Sequence, residues 1–266
     1  MQQIERTVLE VVNHVLTKHP ELAPQVEAMA ARAQGRSAHD WHSFQEWLTF
    51  KGMNTQQVFS KIYEEGHWGR SADPKDRFFS GSGSRDAAVV QPYVQAVTAF
   101  LEGLGHRPDV VDLGCGDFKV GSQIRPACAS YVACDIVPTL IEHHRQAYAD
   151  LDVDFRVLDL GVDALPSGEV VFVRQVFQHL SNAQIAAALH KIQQTYRYLV
   201  LTEHLPAHEP FVPNLDKPAG RNIRHGIDSG VVLTHAPFDL RPVQEQRLCE
   251  VPETGGVIRT TLYQLS

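Results

Sequence analysis

The chain has 266 residues, 43% of them apolar and 21% charged, with a formal net charge of −7. That length suits one large domain, or a core domain with a smaller appendage, and the composition excludes extensive disorder. The negative balance argues against a broad footprint on nucleic acid, which needs clustered Lys and Arg, so a small or neutral partner is expected.

The N-terminal segment MQQIERTVLEVVNHVLTKHPEL places acids and a histidine inside its apolar pattern, unlike a signal peptide. No run approaches the eighteen or so apolar residues of a membrane span. Cys115, Cys128, Cys134 and Cys249 show no C-x-x-C spacing and read as reduced thiols, so a cytoplasmic protein is expected. Ile4, Val8, Val11, Val12 and Val15 share a helical face, and Ser37 can cap a second helix through Trp41, Phe44, Trp47 and Leu48. The stretch KIYEEGHWGRSADPKDRFFSGSGSRD is rich in Gly, Ser and charge but carries Tyr63, Trp68, Phe78 and Phe79, which predicts an ordered loop. Residues 1–86 are thus expected to be a helical cap with a lid loop, able to cover its own core or that of a second copy in a homodimer.

From residue 87 the pattern alternates. A helix near 87–104 precedes DVVDL (109–113), and YVACD (131–135) precedes the helical PTLIEHHRQAYADL. FRVLD (155–159) and EVVFV (169–173) follow, then the helix AQIAAALHKIQQTY, capped by Ser181 or Asn182, and YLVLTE (198–203). After an irregular stretch at about 204–242, VQEQRLCEV and VIRTTLYQL flank PETGG as a hairpin. The expectation is an α/β protein in which residues 87–266 form a Rossmann-like, seven-stranded, mostly parallel sheet with an antiparallel C-terminal hairpin.

The turn VVDLGCGDFKVG carries the chemistry. Asp112 ends a buried strand, and Gly114 and Gly116 let the backbone approach a ligand. The nicotinamide fingerprint needs a third glycine where the chain has Lys119, and no G-K-[ST] of a P-loop is present. Asp135, about twenty residues on, stands where an acid accepts ribose hydroxyls, and Asp159 where one accepts from a purine amine. Three acids at the carboxyl ends of successive strands face the crevice where open α/β sheets bind ligands.

With IYEEGHWG, SGSGS, CGDF, CDIVPTLIE, RQVFQHLS and SGVVLTHAPFDL in order, the chain from about residue 60 onward resembles class I S-adenosylmethionine-dependent methyltransferases, in particular a bacterial subgroup of them. The resemblance implies S-adenosyl-L-methionine as cofactor, with Gly114, Cys115 and Gly116 along its methionine part and Asp112 at its amino group. It further implies Asp135 at the ribose, Ile136 on the adenine, Asp159 and Leu160 at the adenine edge, and Arg174 and Gln175 at the sulfonium end.

Transfer to a hydroxyl calls for a base. His204 and His179 follow strands in this crevice, and Glu203 can orient His204 or replace it. His143 and His144 are adjacent on a helix and read as surface residues. His204, His208 and Glu209 match no recognised metal spacing, so no metal is expected. Trp68 and Arg85 on the lid are expected at the acceptor, Arg85 meeting a carboxylate, joined by the polar set Arg221, Arg224, His225 and Asp228. The expected activity is O-methylation of a small molecule or sugar. An N-methyltransferase of a small amine and a non-catalytic cofactor-binding protein are the alternatives.

Overall fold

The computed structural model describes Thr17, Lys18, Pro20, Glu46 and residues 49–73, 76–208 and 210–266. The periodicity read at Ile4 to Val15, the Ser37 cap with Trp41, Phe44, Trp47 and Leu48, and Glu209 lie outside these residues. The chain divides into two compact units, Met1–Gln45 and Glu46–Ser266. Everything below concerns the second.

Its helix α1 spans Thr55–Glu65, inside the segment whose later part reads as loop. Asn54 accepts from the Gln57 N–H while the Gln57 side chain accepts from the Asn54 N–H, and Gly66 ends the helix in the left-handed region. Then follow α2 (Ala87–Gly103), β1 (Asp109–Leu113), a short α3 (Gly121–Ile124), β2 (Ser130–Asp135), α4 (Pro138–Ala147), β3 (Asp154–Val157), β4 (Val170–Arg174), α5 (Asn182–Thr195), β5 (Tyr198–Pro206), β6 (Gln244–Glu253) and β7 (Gly256–Gln264).

One seven-stranded sheet runs in the order β3-β2-β1-β4-β5-β7-β6. The first five strands are parallel, and β7 pairs antiparallel with both β5 and β6. Alternate residues of one strand feed opposite layers. Val111, Val171 and Leu199 pack with Ile185, Leu189 and Ile192 of α5, whereas Val110, Val170 and Val200 pack with Tyr93, Val97 and Leu101 of α2. Strand order reverses between β1 and β4, which opens a crevice above the carboxyl ends of these strands.

Candidate active site

Asp112, Asp135 and Arg174 end three strands at this crevice, a cavity of about 310 Å³. The glycine turn is held there from several sides. Gly114 (φ +80°) has no room for a Cβ, which would run into the Val176 side chain, and Gly116 (φ +54°) would bring one to 2.7 Å from Ser80 Oγ. The Gly116 N–H donates to Asp135 Oδ2 at 3.1 Å, and the Gly116 carbonyl accepts from His144 Nε2 at 2.6 Å. His144 is therefore not a surface residue. It is 1% exposed on the inner face of α4, and burial pushes its imidazole down to about 4, so it braces the turn as a neutral donor.

Burial dominates the acids as well. It pushes Asp112 up to about 7, against the Tyr131 hydroxyl that donates to Asp112 Oδ2 at 2.9 Å and the nearby Arg174. Asp135 is pushed up to about 6, less far because the Val137 and Gly116 N–H groups donate to its two oxygens. Both acids keep lone pairs for a ligand. Arg174 donates through Nη2 to the Gly83 carbonyl at 2.6 Å and lies 4.9 Å over the Tyr93 ring, while its Nε is buried without a partner. Gln175 holds a left-handed φ of +55° beside it, fixed by its N–H to the Thr202 carbonyl at 2.7 Å.

The lid loop crosses above. Arg85 donates through Nε to Asp117 Oδ2 at 2.8 Å, meets Asp76 through Nη1, and donates through Nη2 to the Phe78 carbonyl at 3.0 Å. Ser80 and Asp117 exchange two further bonds, at 2.8 and 3.3 Å, and Tyr63 meets Ser80 Oγ at 2.8 Å. Arg85 thus latches the lid onto the glycine turn and is fully engaged there, rather than free for a carboxylate of an acceptor. Trp68 does line the crevice, its indole N–H donating to the Arg221 carbonyl at 3.2 Å and its ring 5.0 Å from His179.

The two histidines differ. His179 is half-buried on the crevice wall, with Nδ1 3.2 Å from the Gly220 carbonyl and Nε2 3.4 Å from Gln178 Nε2, and desolvation pushes it down to about 3. His204 is lowered by burial and by His225, and Glu253 opposes this. Its Nε2 is sealed without a partner, a Cβ on Gly256 would stand 2.8 Å from it, and the residue lines the crevice. Gln178 links the pair, its Oε1 accepting from the His204 N–H at 3.1 Å.

Ile136, Asp159, Leu160, Gly114, Cys115, Gly116, Gln175 and Arg221 also line the crevice. Glu203, Arg224 and His225 do not. Glu203 alternates to the opposite face of β5 from His204, where burial pushes its carboxyl up to about 8 and keeps it protonated at neutral pH. Arg224 is wholly buried and donates to the carbonyls of Leu215, Phe177 and Leu180 and to Asn182 Oδ1, so it binds the loop to the core instead of an acceptor. His225 stacks on His204 with centroids 4.8 Å apart. His208 and Asp228 meet each other at the surface at 3.2 Å. Three contributors escape sequence reasoning: Asp117 under the lid, Gln178 between the histidines, and Glu253 from the hairpin. Asp117 alone carried a signal, as the acid that follows G-C-G.

An open α/β sheet whose strand order reverses beside a glycine turn and strand-end acids is a Rossmann-like fold. Residues 111–197 match the model of a family described as a methyltransferase domain. No curated protein matches the chain. Among solved structures it is similar to magnesium protoporphyrin IX methyltransferase (ChlM) from Synechocystis PCC 6803 with bound SAM, at 14% identity and TM-score 0.53 over 80% of this chain and 99% of that one. It is also similar to the N-methyltransferase NodS from Bradyrhizobium japonicum WM9 in complex with S-adenosyl-L-homocysteine, at 14% identity and TM-score 0.54 over 79% and 98% of the two chains. A third is the N-terminal domain of EvdMO1 with SAH bound, at 14% identity and TM-score 0.50 over 80% and 97%. The fold shared with them is the Rossmann-like methyltransferase fold.

Proposed function

We propose that the chain transfers a methyl group from S-adenosylmethionine to a hydroxyl of a small molecule or sugar, with His204 receiving the hydroxyl proton. The enzyme class and the cofactor rest on the methyltransferase domain match and the shared fold. The acceptor and the base are read from the crevice. A single observation carries that reading: the cavity lined by Asp112 and Asp135 is also lined by His204, whose pKa burial lowers, which keeps the imidazole neutral at physiological pH.

The residues fit the cofactor. The turn at Gly114 and Gly116 packs too closely against Val176 and Ser80 to admit a Cβ, Asp135 retains lone pairs that would accept from ribose hydroxyls, and Asp112 would take the amino group, with the buried Nε of Arg174 unpartnered on the same cavity wall. Ile136 and Leu160 supply apolar walls for the base, and Asp159 its polar edge. When bound, the sulfonium supplies an electrophilic methyl carbon whose bond to sulfur breaks as the bond to the acceptor oxygen forms. The lid and Trp68 exclude water, and Gln178 orients the loop that follows β4 toward β5. His204 is the better base of the two: an imidazole at about 3, with both nitrogens engaged, is a poor proton acceptor, which removes His179 from that role.

At saturating cofactor, kcat should rise with pH through an inflection below the usual imidazole value of 6.5, because only the neutral form of His204 accepts the proton. His204→Gln should lower kcat about 10²- to 10⁴-fold and abolish that limb. An unchanged rate and profile would instead favour an amine acceptor, which needs no base. All four cysteines are free thiols, which suits a cytosolic enzyme. Among the described residues no helix is long and apolar enough to cross a membrane.

A further inference from the structure

The corner between His204 and Glu253 has more hydrogen-bonding capacity than proton removal requires. Glu253 ends β6 at the hairpin tip and lines the same crevice as His204. Strand β7 brings the two together, since its Gly256 pairs with Pro206 of β5 on one side and with Glu253 on the other. Two glycines permit the close approach. A Cβ on Gly256 would run into the Leu205 carbonyl, and one on Gly255 would lie 2.8 Å from His225 Cε1. The His225 ring fixes the tip from outside, its Nε2 2.6 Å from the Gly255 carbonyl. The hairpin is therefore seated against the crevice wall.

Among the described residues Glu253 has no cation at ion-pair distance, and its side-chain partner is the Thr254 hydroxyl at 3.3 Å. Beside it His204, 8% exposed, lines the same cavity. Trp68 adds an aromatic plate and Arg221 a donor to the same cavity. A carboxylate has two oxygens and about four acceptor sites, so a pair of adjacent hydroxyls satisfies it better than a single one does.

Building on the hydroxyl-acceptor reading above, we propose that Glu253 is an acceptor-binding residue that takes hydrogen bonds from a vicinal diol and so presents the neighbouring hydroxyl to His204. The substrate class is then a polyhydroxylated ring, a sugar or cyclitol, carrying that diol next to the methylated position.

The test compares the wild type with Glu253→Gln and Glu253→Asp. Each protein is titrated with S-adenosylhomocysteine, then assayed with S-adenosylmethionine on a panel of methyl hexopyranosides, their monodeoxy counterparts and a 2-amino-2-deoxy glycoside. Cofactor-product affinity should be equal in all three, which also shows that the variants fold. Glu253→Gln should raise KM for the intact glycoside about 10- to 100-fold with a smaller change in kcat, and Glu253→Asp should fall between. Removing a diol hydroxyl should cost the wild type a similar factor and Glu253→Gln little more, because the same interaction is already lost. Equal KM for wild type and Glu253→Gln on a methylated glycoside overturns the role of Glu253 and leaves the methyltransferase reading intact. A preference for the amino glycoside that Glu253→Gln abolishes overturns the diol in favour of an ammonium. Tight S-adenosylhomocysteine binding without methylation of any glycoside overturns the sugar acceptor, and the diol with it.

Discussion

Asp112 sits at the point where a proton and a ligand compete. Burial holds it at about 7, so near neutral pH a large part of it is protonated before anything binds. An ammonium placed beside it favours the ionised form, so binding of S-adenosylhomocysteine at pH 7 should release a fraction of a proton. Calorimetry in buffers of different ionisation enthalpy should show a slope at pH 7 that shrinks as pH rises toward about 8, where Asp112 is mostly ionised. No slope at pH 7 would separate Asp112 from the amino group. That acid was legible in the sequence because an aspartate ending a buried strand before G-x-G has few other places to point, and the same holds for Asp135. His144 was not legible. Adjacent residues on a helix face different ways, but which of His143 and His144 turns inward depends on the rotation of α4 against the sheet. Arg224 shows the converse: a polar loop reads as an open surface until its guanidinium is seen capping buried carbonyls.

At the scale of elements, Arg85 makes the most bonds of any side chain that holds the lid. It joins Asp76 and Phe78 of the lid to Asp117 of the glycine turn, and Arg174 donates to the Gly83 carbonyl. Arg85→Ala should free residues 76–85, seen as faster limited proteolysis there and about tenfold weaker S-adenosylhomocysteine binding. Unchanged cleavage and affinity would mean that the latch is idle. The strands were legible as apolar runs bounded by Gly and Asp, and the hairpin as two β-rich runs about PETGG, because local chemistry specifies both. The latch was not, since Arg85 and Asp117 are 32 residues apart and no periodicity links them. Helix α1 was legible only in part: its Asn54–Gln57 capping box and Gly66 stop are local, but the charged, glycine-rich tail after it masks where the helix ends.

The whole molecule collects an unusual set of buried acids, and its stability should follow them. Asp112, Asp135 and Glu203, at about 7, 6 and 8, all stand above their unfolded values, so the folded state binds more protons than the unfolded chain over that range. Their contribution is fully present below the unfolded carboxyl values and is lost as pH rises through 6 to 8. His179 and His144, depressed to about 3 and 4, act oppositely, but only as pH falls below the ordinary imidazole value of 6.5. The ligand-free protein should therefore lose Tm between about pH 6.5 and 8.5, and Glu203→Gln should flatten the decline. A Tm that rises across this interval would contradict the burial of these acids. Two of these acids, Asp112 and Asp135, line the crevice proposed above as the cofactor site. The most direct test is calorimetric titration of the wild type and Asp135→Ala with S-adenosylhomocysteine at matched thermal stability. Micromolar binding by the wild type that falls at least about 100-fold in the variant is the predicted result, and a folded wild type that binds none would contradict the methyltransferase account.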